Sequence, residues 1–203
     1  MKFSTFSVRD WIYIAVFGAL WGALELTLGA YLHLLFPPLA NTFFTGLIMA
    51  GLGAIIALVG YHFVPRTGAV LSVGIITTLL KALSLGGMKI GPIVAILAQV
   101  ILIELALLSK KPLTRRRYVL AGALAVSWNF FHKFIMMRLL YGKGINDVYL
   151  KMVQEGSRVL GVDARYALVI IGLLFLVRVI AGAAAGWLGW DLGRLVAQRL
   201  LKE

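Results

Sequence analysis

The sequence predicts an all-α integral membrane protein of six transmembrane helices with both ends in the cytoplasm, and three observations predict it. The 203 residues are 61% hydrophobic with a mean hydropathy of +0.94, against roughly 45–50% apolar usage in soluble domains. The apolar residues fall into six long runs separated by Pro, Gly and basic clusters. Lys and Arg are concentrated in alternate connections, which is how cytoplasmic loops are marked. A membrane-crossing helix takes about 20 mainly apolar residues. Six therefore consume nearly the whole chain, and one domain over residues 1–203 is expected.

The polar, mildly basic segment Met1 to Asp10 precedes an apolar run too long for a signal-peptide core, so it reads as the approach to a retained first helix over residues 11–36. Pro37 and Pro38 end that helix, since Pro has no amide hydrogen and pushes the residue before it out of helical geometry. The second helix is expected over 42–63, stopped by Pro65-Arg66-Thr67-Gly68, and the third over 69–85, bounded by Gly86-Gly87. The fourth covers 92–108 up to Lys110-Lys111-Pro112, the fifth 118–141, and the sixth 166–192. Between the last two lies the one long polar stretch. Within it, residues 144–160 place Ile145, Val148, Tyr149, Met152, Val153, Val159 and Leu160 at helical spacing opposite a charged face. This is an external amphipathic helix that lies on the bilayer or caps a cavity, or else a solvated loop helix that touches nothing.

Orientation follows from counting. The connections on one side hold Lys2, Arg9, Arg66, Lys110, Lys111, Arg115, Arg116, Arg117, Arg194, Arg199 and Lys202, and the other side holds Lys89, Lys143, Lys151, Arg158 and Arg165. The last four are diluted by Asp147, Glu155 and Asp163. The net charge of +12 thus marks topology, and no basic amphipathic face points to nucleic acid. The absence of Cys removes disulfides, thiolate metal sites and Cys nucleophiles. No HExxH, GxSxG, Walker A or paired-acid motif is present, so no metal, cofactor or nucleotide site is expected and the chain does not read as a self-contained enzyme. Trp187, Trp190, Tyr141 and Tyr166, near helix ends, are explained as interfacial belt residues.

Three helices carry stripes of small residues: Ala15, Ala19 and Ala23 with Gly18 and Gly22 in the first, Gly46, Ala50 and Ala54 in the second, and Gly182, Ala185, Gly186, Gly189 and Gly193 in the last. Lipid supplies no hydrophobic drive between helices, so such faces work by close approach, either inside the bundle or toward another subunit. Ionisable groups inside the runs are Glu25, Lys81, Glu104, Lys133, Arg138 and Arg178. Each costs about 2.5–3.5 kcal/mol at a helix centre, so by default it faces the interior. Asn129, His132 and Lys133 share one helical face beside Trp128. With Lys81, Glu25 and the external turn carrying Asn41 and Thr42 they line a candidate pocket open to the outside, whose excess of basic groups suits a carboxylate or phosphate. The bland alternative is a structural ion pair of Glu25 with Arg178 or Lys81, with Lys133 and Arg138 snorkelling to the headgroups.

A chain of this length with six helices and both ends inside resembles the substrate-binding S-components of energy-coupling factor vitamin transporters. The residues that carry the likeness are the Ala15, Ala19, Ala23 stripe, the Pro-containing turn Phe36 to Thr42, and the connection Gly86-Gly87-Met88-Lys89-Ile90-Gly91-Pro92. The resemblance implies that the alanine face docks on a transmembrane coupling subunit with ATPase partners, and that substrate is captured outside and released inside by toppling. No His follows the initiator Met, unlike the nickel and cobalt members. Two other classes compete: a membrane-embedded enzyme acting on a lipid or isoprenoid, with His132 and Glu25 or Glu104 as acid and base, and a structural subunit of a larger complex.

The topology is tested by single-Cys substitutions on this Cys-free background. An impermeant external reagent is expected to label a Cys at Ser157 and not one at Thr114. The reverse pattern overturns the orientation.

Overall fold

The computed structural model describes residues 6–35, 44–83, 90–108, 113–141 and 144–200, and these form helices with no strand among them. The helices are α1 (Val8–Leu35), α2 (Phe44–Phe63), α3 (Ala69–Leu83), α4 (Ile90–Leu107), α5 (Arg115–Tyr141), the amphipathic α6 (Ile145–Leu160) and α7 (Ala167–Leu200), with one 3₁₀ turn at Ala164–Tyr166. Four stretches are long and apolar enough to cross a membrane: Val8–Leu28, Thr45–Phe63, Ile90–Leu107 and Ala164–Arg199. α3 is apolar but shorter, with 15 residues. α5 has ample length, but Asn129, His132, Lys133 and Arg138 lower its hydropathy.

Three boundaries move by three residues or more from the sequence expectation, and one of them is the start of α1, at Val8 in place of 11. α5 begins at Arg115, so the basic cluster Arg115 to Arg117 forms its first turn, and α7 runs on to Leu200, taking Arg194 and Arg199 onto the helix. α1 opens on a reciprocal cap: Asp10 N–H donates to Ser7 Oγ at 3.2 Å and Ser7 N–H to Asp10 Oδ2 at 2.8 Å. The spacing that specifies it, Ser-x-x-Asp, is plain in the sequence.

α2 is central and touches each of α1, α3, α4, α5 and α7. Around it α1 packs on α3, α3 on α4, α4 on α5 and α5 on α7, while α1 and α7 do not meet among the described residues. The tightest crossing is between α5 and α7. A Cβ on Gly122 would collide with the Gly182 carbonyl oxygen, and one on Gly186 with the Tyr118 carbonyl oxygen. The last helix's glycines therefore serve internal packing, Gly189 and Gly193 doing the same against Leu58 and His62 of α2. On α1, Gly18 and Gly22 receive Ile76 and Leu80 of α3.

At one end of the bundle the helix termini are satisfied by side chains from neighbouring helices. The Glu104 carboxylate of α4 accepts from the Gly68, Val70 and Leu71 amides at the start of α3, at 2.6, 3.1 and 3.2 Å. Arg117 of α5 in turn donates to the Ala106 and Leu107 carbonyls that end α4. Each charge meets the helix terminus of opposite partial sign. Arg66 pairs with Asp10 and Arg115 with Asp191, so this end is the charged one. Trp190 does not stand at the interface alone: it packs edge-on against Tyr118 and His62, whereas Trp187 is exposed with Arg115 over its ring.

α6 folds back on the bundle. Gly156 lets it approach Ile170 and Leu174 of α7, and Val153 joins Phe130 of α5 and those two residues in a second apolar cluster. The alternative of a solvated helix that touches nothing is thereby overturned; its apolar stripe had partners waiting on α5 and α7.

Gly182→Leu is expected to force α5 and α7 apart and destabilise the fold by about 1–3 kcal/mol or more, since overpacking against backbone has no flexible side chain to absorb it. Thermal unfolding in detergent measures it, with Gly172→Leu, at an open position, as the control that should change little.

Candidate functional site

Two polar pairs inside the bundle lie in one layer. Counted from Asp10, Ala69, Arg115 and Asp191 at the charged end, Glu25 on α1, Lys81 on α3, Asn129 on α5 and Arg178 on α7 each stand roughly twelve to fifteen residues away, or about 18–23 Å at 1.5 Å per residue. Lys81 continues the buried stripe Val70, Gly74, Thr77 of α3 at spacings of four, three and four. Its ammonium lies 3.3 Å from Glu25 Oε2 and donates to the Glu25 carbonyl at 2.9 Å. Both side chains are mostly buried. Of the two ion pairs the sequence allowed for Glu25, this is the one that forms.

Across the layer, Arg178 is 2% exposed and donates from Nη1 to Asn129 Oδ1 at 2.8 Å. Its guanidinium also lies 6.0 Å above the Phe130 ring. Asn129 Oδ1 sits where a Cβ on Gly46 would be, 2.8 Å away, so the small residue on α2 makes the room that the amide occupies. His132 is buried one turn further along α5, its ring 6.4 Å from Trp128. Trp128 lies three turns from Arg117 on the side of α5 that faces α4.

Between these two walls runs the inner face of α2. Gly46, Ala50, Gly53, Ala57 and Gly60 recur at spacings of four and three, which keeps them on one stripe. Gly46 meets Asn129 of α5, the Ala50 carbonyl accepts from Gln99 Nε2 of α4 at 2.8 Å, and Gly53 meets Trp21 of α1. Thr77 Oγ1 of α3 donates to the Gly18 carbonyl of α1 at 3.1 Å, below the layer. Gln99 and Trp21 were not singled out by sequence. A lone Gln or Trp in an apolar run carries no periodic signal; its partner on another helix gives it meaning.

The structure thus brings Asn129 together with Arg178 and Glu25 together with Lys81, while His132 packs beside Trp128 on α5. Asn41 and Thr42 lie outside the described residues, as do the side chains of Lys133 and Arg138. Glu104 is at the charged end, engaged in capping α3, and stands away from His132. No cluster of His, Asp and Glu able to hold a metal ion occurs among the described residues.

Ala15, Ala19 and Ala23 are all exposed. They occupy the back of α1, opposite Trp21, which is 1% exposed and faces α2. Large apolar neighbours on the outside of α1, Ile12, Val16 and Leu20, are exposed with them.

Residues 8–194 match the family Trep_Strep, described as hypothetical bacterial integral membrane protein. The chain belongs to that family. No curated protein and no solved structure matches it. As a Trep_Strep protein it is an integral membrane protein, and the outward apolar side chains of its helices have lipid as their solvent.

For this Trep_Strep chain a double-mutant cycle of Glu25→Gln and Lys81→Met, read by thermal stability in detergent, is expected to give a coupling of about 1–3 kcal/mol, as for contacting residues in one polar network. Coupling near zero would mean that the pair is not formed in the bilayer-embedded protein.

Proposed function

We propose that the chain is the substrate-capture subunit of an importer of the energy-coupling factor type, crossing the membrane six times with both ends in the cytoplasm. The six crossings are α1 to α5 and α7, with α3 the shortest and α5 the most polar. In this reading the charged end is cytoplasmic and the polar layer lies in the outer half. The substrate is a vitamin or related small molecule, held by Lys81, Asn129, His132 and Lys133 with Glu25 and the Asn41-Thr42 turn.

The observation that carries this reading is the pairing of an interior polar layer with an exposed alanine face on the same helix. Trp21 and Glu25 face inward on α1, while Ala15, Ala19 and Ala23 face outward. α1 already has its close-packing partner inside the molecule, through Gly18 and Gly22 against α3. The alanine stripe is therefore left over for a second backbone, which suits docking on a transmembrane coupling subunit served by ATPases. The enzyme reading is less well supported, because Glu104 is held by three amides at the opposite end from His132.

Ala19→Trp is expected to abolish uptake by cells carrying the full transporter while leaving folding and substrate binding unchanged. Bulk on an outward face blocks backbone approach and touches nothing inside. Uptake at the wild-type level would remove the docking role, and loss of folding would assign the face to internal packing.

A further inference from the structure

The three arginines that open α5 stand where a helix least tolerates positive charge. A helix N-terminus already carries partial positive charge, and no acidic residue accompanies Arg115, Arg116 and Arg117 in the first turn. Two of the three are answered inside the protein. Arg117 donates to the carbonyls that end α4, and Arg115 pairs with Asp191 of α7 and lies 5.7 Å over the Trp187 ring. Arg116 is exposed and meets no partner among the described residues, and the same is true of Arg194 on α7. Asp10 and Glu104, further acids at this end, are held by Arg66 and by the α3 amides.

The fold gathers these groups on one seam. Arg116 stands three residues before Val119 and seven before Ala123, whose backbones meet Gly186 and Gly182 of α7, so it lies on the edge of α5 that borders α7. On α7, Trp187, Asp191 and Arg194 follow at spacings of four and three and share one stripe, and Arg115 reaches across to the first two. Toward the middle of the bilayer the seam turns apolar. Leu120 and Leu124 continue from Arg116 at four-residue intervals, and both are exposed, as is Trp187. Guanidinium groups therefore stand at the end of an apolar, lipid-facing track with an exposed indole beside them.

We propose that this seam binds the headgroup phosphate of an anionic phospholipid. Arg115, Arg116 and Arg194 face the phosphate, Trp187 lies at the level of the glycerol backbone, and the chains run along Leu120 and Leu124. The planar guanidinium fork suits phosphate oxygens. A soluble anion would use the charges but gain nothing from the exposed Trp and Leu side chains, whereas a lipid uses both. Its negative charge also offsets the positive charge that gathers where α5 begins. The site is independent of the transport reading, since it needs only a bilayer.

The test offers the full chain, purified in a non-ionic detergent, equimolar phosphatidylglycerol and phosphatidylcholine with the same acyl chains, and counts retained lipid by native mass spectrometry. The wild type should keep phosphatidylglycerol in preference by about tenfold, and Arg116→Gln and Arg194→Gln should each reduce that preference about fivefold, the scale of one basic residue at an anionic surface. Arg199→Gln removes the same charge from α7 five residues on, about 140° around the helix from Arg194, and should leave the preference unchanged. Thermal unfolding in lipid-free detergent should be the same for all three variants, because none of these arginines has a partner to lose among the described residues. Added phosphatidylglycerol should raise the unfolding temperature of the wild type, and sn-glycerol 3-phosphate, the same phosphate without chains, should not. Equal retention of the two lipids by the wild type, or equal loss of preference in Arg199→Gln and Arg116→Gln, makes the attraction diffuse and overturns the proposal. Equal stabilisation by sn-glycerol 3-phosphate also overturns it and assigns the seam to a soluble phosphate.

Discussion

The crossing of α5 and α7 through Gly122, Gly182 and Gly186 is the contact on which the rest of the structure depends. Lipid gives two helices no reason to associate beyond packing and hydrogen bonding. Here the backbones approach until no side-chain carbon fits between them. That approach sets Asn129 against Arg178 about one to two turns from the crossing, and it brings the lower part of α7 alongside α2, where Gly189 and Gly193 admit Leu58 and His62. Widened by a methyl group, it would draw Asn129 away from Arg178, the polar pair that joins α5 to α7 in the interior of the bundle.

The charged end obeys the same constraint in another form. Unpaired backbone groups at helix ends are costly where water is scarce, and the chain meets the cost by using α4 as a link: Glu104 serves the amides of α3, and Arg117 of α5 serves the carbonyls of α4. Three consecutive helices are thereby fixed at one level. A carboxylate that a sequence reading offers as a catalytic acid is, in the fold, a helix cap. Its chemistry is set by what its oxygens already accept.

Function and architecture are separated on α1. One side of the helix is closed off by α3 and α2, through Gly18, Gly22, Phe17 and Trp21, and the opposite side keeps three alanines exposed. Small residues thus stand on two faces of one helix, and those on the inner face admit side chains of α3.

The sequence by itself determined that the protein is helical and membrane-embedded, where most helices break, and which end is charged, because these depend on local composition, Pro and Gly chemistry and the burial cost of charge. It also placed Glu25, Lys81, Asn129 and His132 inside, since each interrupts an apolar run and cannot face lipid cheaply. Which stripe of small residues packs inward was not legible: Gly18 and Gly182 read no differently from Ala19 until a neighbouring helix stands beside them. Nor was the choice of Lys81 over Arg178 as the partner of Glu25, the capping role of Glu104, or the part of Gln99 and Trp21. Those are contacts between residues dozens of positions apart, and only the tertiary structure decides them, because helical periodicity fixes a residue's face but carries no information on which helix that face will meet.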